Sequence, residues 1–142
     1  MTNSESTDND TTGGCLCGQV RYSFGGPPLL TAICHCRHCQ RQSGSAFSIV
    51  AAVPAADFYL HGETRTFDDI SDNGRPVARV FCPECGSPIL SRIEPMPDML
   101  LIKAGTLDDA SILQPTIEVF CDLAFPFMPP LAGTERHGRS NI

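Results

Sequence analysis

The chain has 142 residues, 42% hydrophobic and 18% charged, with a formal net charge of −6 and a sequence pI near 5.0. That length fits one domain able to bury a core of its own. The acidic balance leaves no basic face for a phosphate backbone, and no apolar run approaches the ~18 residues of a membrane span, so neither nucleic acid nor membrane is expected as a partner. Twelve Gly and twelve Pro favour turn-rich β structure over long helices.

Residues 1–12 are Ser/Thr/Asn/Asp-rich, with neither a positive start nor an apolar stretch, and read as a disordered polar tail without a signal peptide. The folded domain is expected over 13–131, with a second polar tail over 132–142. Gly13-Gly14 lead into Cys15-Leu16-Cys17. In an extended segment residues i and i+2 face the same side, so both sulfurs can address one ion. Gln19 to Phe24 alternates, with Val20, Tyr22 and Phe24 on one face, and predicts a strand ended by Gly25-Gly26-Pro27-Pro28.

A short strand over Leu29–Ile33 then delivers Cys34-His35-Cys36-Arg37-His38-Cys39. Cys34 and Cys36 share a face as i, i+2, and one helical turn brings Cys36 and Cys39 to the same side. Three thiols can thus converge on one point. His35 and His38 read as surface or supporting residues rather than ligands. Arg37 and Arg41 place positive charge beside the thiols, to stabilise them or to attract an anionic ligand, and Ser45 in the following polar turn joins them as an expected substrate contact.

Strands are predicted over Ala46–Val53, Phe58–Leu60 and Arg65–Phe67, and Asp72-Asn73-Gly74 marks a hairpin returning along Val77–Phe81. That strand runs into Cys82-Pro83-Glu84-Cys85-Gly86, a zinc-knuckle pattern. Further strands are expected over Ile89–Ile93, Met99–Lys103 and Thr116–Phe120; Cys121 stands alone.

The eight cysteines thus fall into two pairs, one triplet and one single residue. A structural zinc site closes with four ligands, whereas a catalytic one keeps three and leaves a position open. The spacing therefore predicts two Zn²⁺ per chain. Cys15, Cys17, Cys82 and Cys85 form a closed structural site, and Cys34, Cys36 and Cys39 an open, catalytic one. A disulfide framework is disfavoured because a bridge across Cys-x-Cys is strained, and close cysteine pairs in a reducing cytoplasm more often bind metal or do chemistry.

Gly14-Cys15-Leu16-Cys17-Gly18, the triplet with Gly44-Ser45-Ala46-Phe47, Phe81-Cys82-Pro83-Glu84-Cys85-Gly86 and Ala104-Gly105-Thr106-Leu107-Asp108 together resemble the glutathione-dependent formaldehyde-activating enzyme family, whose domain also occurs in centromere protein V. The resemblance runs from about Gly14 to Phe127. It implies a mainly β fold, a β-tent of twisted antiparallel sheets held by a structural zinc. Carried over by position, it assigns the same seven cysteines to the two zinc sites. The activity it implies is that of a carbon–sulfur lyase or synthase, which forms or cleaves S-hydroxymethyl adducts of a glutathione-like thiol and a small carbonyl such as formaldehyde. A centre with three thiolates is a weak Lewis acid, so its expected task is to bind and orient the substrate sulfur. The alternative is a non-catalytic zinc-binding module for metal storage or interaction. Assembly with further copies of the chain stays open.

Overall fold

The computed structural model describes residues 10–94 and 96–140, so most of the N-terminal stretch read as a tail lies outside the described residues. Eleven strands and one α-helix are present among those described. A small antiparallel sheet pairs β1 (Thr11–Gly14), β2 (Arg21–Phe24) and β5 (Phe58–His61) in the order β1-β2-β5. The second sheet is built from β3 (Leu30–Cys34), β4 (Ser48–Pro54), β6 (Arg65–Ile70), β7 (Pro76–Phe81), β8 (Pro88–Ile93), β9 (Met99–Lys103), β10 (Ile117–Val119) and β11 (Glu135–Arg136). Its order is β11-β10-β3-β4-β9-β8-β7-β6, antiparallel except where β10 runs parallel to β3 and to β11. The helix α1 spans Arg37–Ser43. This mainly β architecture is the one expected.

Alternation explains the core. Val20, Tyr22 and Phe24 are almost fully buried, and the Tyr22, Phe24 and Phe58 rings stack with centroids 5.3–6.3 Å apart. They meet Ala51 and Val53 of β4, Leu100 and Ile102 of β9, Leu90 of β8 and Val80 of β7. The core therefore lies between the small sheet and one face of the large one. The Ala104-Gly105-Thr106-Leu107-Asp108 segment closes its end. Tyr22 Oη and Thr106 Oγ1 lie 2.7 Å apart, and Arg21 pairs with Asp108. Gly13 sits so close that a Cβ there would lie 2.4 Å from Tyr22 Oη and 2.5 Å from the Thr106 carbonyl oxygen.

The opposite face of the large sheet is apolar as well. Ala52, in register with Leu30 on one side and Leu101 on the other, alternates with the core residues Ala51 and Val53. This second face forms the wall of a cavity.

The segment from 132 onward differs from the expected tail. β11 pairs with β10, and the backbone N–H groups of Phe120, Cys121 and Asp122 donate to the carbonyls of Arg139, His137 and Gly138. The physical anchor is Glu118, whose side chain is 2% exposed. It takes Thr134 Oγ1 on one carboxylate oxygen, Arg136 at 2.8 Å on the same oxygen, and His35 Nε2 at 2.9 Å on the other. Burial pushes this carboxyl up, but these three partners outweigh it and bring it to about 2 from an ordinary 4.5. A carboxyl lowered in the fold stabilises above its unfolded value and loses that contribution as the pH falls towards its folded one. Glu118→Gln is therefore expected to flatten the acid limb of the stability curve between about pH 4.5 and 2, read by thermal melts at stepped pH beside the wild type.

Candidate metal centres

The first centre forms where two strands run out. Cys15 follows β1 and Cys82 follows β7, and each opens the same backbone knuckle. Gly18 N–H donates to the Cys15 carbonyl at 3.2 Å, and Gly86 N–H to the Cys82 carbonyl at 2.9 Å. Both glycines have positive φ, 86° and 79°, a region that side-chain-bearing residues rarely adopt. The chain then returns, with Cys15 N–H donating to the Val20 carbonyl and Cys82 N–H to that of Ser87, both at 3.0 Å. Each knuckle aims two sulfurs at one point.

The four sulfurs of Cys15, Cys17, Cys82 and Cys85 all lie within 4.8 Å of one another. Cys15 and Cys17 are separated by 3.6 Å, Cys17 and Cys82 by 3.8 Å. A zinc–sulfur bond of ~2.3 Å in a tetrahedron places sulfurs about 3.8 Å apart, so the cluster already has the size the ion requires. All eight cysteines are free thiols. The surroundings favour charge on two members of this cluster. Burial pushes the Cys15 thiol up, but the Val20 N–H donated to its sulfur at 3.2 Å, with Cys17 and Cys82, leaves it lowered. Ser87, through its hydroxyl and its backbone, lowers Cys85 to about 5.

The second centre forms at the junction of β3 and α1. Cys34 closes β3, beside Ser48 of β4 and Val119 of β10. Cys36 is the N-cap of α1, its sulfur accepting the Cys39 N–H at 3.2 Å. Cys39 lies in the first helical turn. The three sulfurs converge within 4.8 Å, as the spacing predicted. Cys39 is held low chiefly by hydrogen bonds from Cys34 and Cys36, against burial and with help from Lys103 and Arg79. The same exchange of hydrogen bonds with Cys36 and Cys39 raises Cys34.

Of the two readings for His35, the supporting one fits: it is buried, and its hydrogen bond to Glu118 ties the loop between Cys34 and Cys36 to β10. Cys121 lies beside this pair, its sulfur within 4.8 Å of a ring nitrogen and a carboxylate oxygen. His38 faces Asp69 through Nδ1 at 2.9 Å and Asp72 through Nε2 at 3.1 Å, which pins α1 to the β6–β7 hairpin. Both histidines thus support the triplet from behind.

The triplet lies on the wall of a cavity of about 430 Å³ on the second face of the large sheet. Arg37, Arg41 and Ser45 are exposed and do not line it. Two cations that sequence reasoning missed do so. Lys103, at the end of β9, is 6% exposed and donates from Nζ to Ser48 Oγ at 2.8 Å; burial lowers it, and the thiols of the triplet counter that. Arg79 of β7 is 4% exposed and donates from Nε to Asp69 at 2.8 Å. Each is a lone cation on an apolar strand at an inward parity, and that was the available signal. Phe120, which also lines the cavity, is the only non-glycine residue with positive φ among the described residues, at 55°.

These features define a mainly β protein with two separate clusters of free thiols, each sized for a metal ion, one of four cysteines and one of three opening into a cavity. Residues 10–123 match the family model described as glutathione-dependent formaldehyde-activating enzyme, and the chain belongs to that family. Relatives in Aspergillus flavus and Aspergillus oryzae, each named "Putative glutathione-dependent formaldehyde-activating enzyme", are 30% identical over 82 residues, 56% of this chain and 42% of theirs. The matches thus span less than half of these relatives' length. A crystal structure of a Rhodobacter sphaeroides protein shares the fold, with TM-score 0.55 and 19% identity over 68% of this chain and 87% of the other.

The two centres make different demands. Structural zinc contributes on the order of 10 kcal/mol to small metal-dependent folds. Cys15→Ser or Cys85→Ser is therefore expected to cost most of the cooperative melt. Cys34→Ser, Cys36→Ser and Cys39→Ser should each keep the fold while metal content falls from about two to about one per chain. Circular dichroism melts with metal analysis on the same samples check both.

Proposed function

We propose that the chain is a zinc-dependent carbon–sulfur lyase or synthase, acting on a thiol and a small carbonyl in a reducing cytoplasm. The observation that carries this reading is the three-cysteine cluster opening into a cavity. A scaffold alone has no use for three further converging thiols beside the four that close the first centre. Cys34, Cys36 and Cys39 would hold the zinc, which would supply an open position and favour the thiolate form of a substrate thiol. Family membership supports the thiol and the carbonyl as substrate classes.

The chain's own groups set up the rest. Lys103 and Arg79 offset the negative charge that three thiolates leave on a dication, and in a buried site that compensation decides whether the charge is tolerated. The apolar cavity wall limits where the carbonyl can approach. In the forward direction the sulfur lone pair forms a bond to the carbonyl carbon, and the carbonyl π pair moves to oxygen. The proton lost from the thiol ends on that oxygen, giving an S-hydroxymethyl adduct. Cleavage reverses each movement. Arg37, Arg41 and Ser45 fit an outer role, as contacts for the far end of a long substrate.

The uncatalysed addition proceeds on its own, so only a rate above background counts. Exchange NMR on thiol and formaldehyde is expected to show acceleration by the zinc-loaded wild type and none by Cys36→Ser. Equal rates across several thiols would favour a non-catalytic metal-binding module. Lys103→Met is expected to weaken metal retention at the triplet about 10–100-fold, as loss of a supporting contact does elsewhere, leaving the four-cysteine centre loaded; competition with a chromogenic chelator reads it.

A further inference from the structure

The cavity that exposes the triplet is built from one parity of six strands. Leu30, Ala32 and Cys34 come from β3, Val50 and Ala52 from β4, and Met99, Leu101 and Lys103 from β9; β10, β8 and β7 add their own alternate residues. Cross-strand register joins them. Ile117, Ala32, Val50 and Lys103 form one continuous row, and Leu30, Ala52, Leu101, Ser91 and Arg79 the next. The rows begin at apolar residues and end at the two buried cations beside the thiols.

Charge is confined to two places. Arg79 and Lys103 are engaged at the thiol end, with Asp69 and Ser48. Asp72 and Arg75 stand on the β6–β7 hairpin at the rim, where Asp72 is solvent-exposed. Over Ala32, Val50, Ala52, Met99 and Leu101 the wall is hydrocarbon, Ser91 being the polar side chain of the second row before Arg79, and Leu29 and Leu30 continue it at 66% and 44% exposure. A glutathione molecule carries two carboxylates, an ammonium and two amides. Laid along the Ala32–Val50–Ala52–Leu101 stretch, which carries no polar side chain, they lose water without replacement, which is costly for each group. An alkyl or arylalkyl chain meets no such penalty and gains about 0.8 kcal/mol for each methylene buried, close to fourfold in binding.

We propose that the substrate thiol of this protein carries an apolar chain, and that the chain lies along the Ala32–Val50–Ala52–Leu101 wall while the sulfur sits at the triplet. The proposal rests on the carbon–sulfur reading for its chemistry and narrows the thiol to an apolar class. Nothing beyond thiol and carbonyl enters the balance: one S–C bond forms, the carbonyl π bond opens, and the thiol proton passes to oxygen.

Two measurements on the full zinc-loaded chain test it. The first is the exchange rate with formaldehyde for ethanethiol, butanethiol, hexanethiol and glutathione. The second is calorimetric binding of the matching alkyl methyl thioethers, which fill the cavity without reacting. Rate and affinity are expected to rise together, about fourfold per methylene until the wall is filled, with glutathione below hexanethiol. Ala32→Phe, checked by its melt, should remove the dependence on chain length in both. Fastest exchange with glutathione, or thioether affinity flat in chain length, overturns the apolar-thiol inference and leaves the reaction intact. Thioether affinity that rises with length, without acceleration of any thiol, sustains the apolar wall and overturns the reaction.

Discussion

Cys17 and Cys82 stand 65 residues apart in the chain, yet their sulfurs lie 3.8 Å from one another, and the rest of the structure depends on that meeting. The small sheet carries Cys15 and Cys17 at the exit of β1, and the large sheet carries Cys82 and Cys85 at the exit of β7. Their convergence sits on the core itself, since Cys15 and Cys82 pack with Val20, Val80 and Ile89. The constraint fixes how the small sheet lies on the large one. It also frees the other face of the large sheet from any duty in the core.

The second face is where chemistry has room. β3 ends on Cys34, a tight turn makes Cys36 the cap of α1, and the first helical turn supplies Cys39. Their position is over-determined from behind, by His35 on Glu118 and by His38 between Asp69 and Asp72. Lys103 and Arg79 complete the site at the level of charge. Three thiolates around a dication would carry net negative charge, and the two buried cations within the field of Cys39 would make it tolerable away from water. The same compensation explains why two charged residues persist on otherwise apolar strands.

Much of this was legible in the sequence because cysteine spacing is a geometric statement. Two knuckles and a triplet predict convergence without any knowledge of the sheets. The Val20–Tyr22–Phe24 alternation likewise announced the core face. Other features were hidden for physical reasons. In β4, residues of both parities are apolar, so periodicity could not tell the core side, Ala51 and Val53, from the cavity side, Val50 and Ala52. Lys103 and Arg79 fall inside predicted strands with no sequence pattern that links them to the thiols; only strand register places them there. The 132–140 segment looked polar and unpacked because its attachment is through backbone hydrogen bonds and one buried carboxylate, which leave no hydrophobic pattern. The choice between surface and supporting residue for His35 stayed open in the sequence because its partner Glu118 lies 83 positions away.

The central claim is that one centre is closed by four cysteine sulfurs and the other is open, with three. X-ray absorption at the zinc edge counts sulfurs around the metal directly. For the zinc-loaded chain the account predicts an average of about 3.5 sulfurs per zinc at ~2.3 Å, with the remainder a light atom, rising towards four when a thiol substrate is added. An average of four before any thiol is added, or one that does not move on its addition, would contradict it.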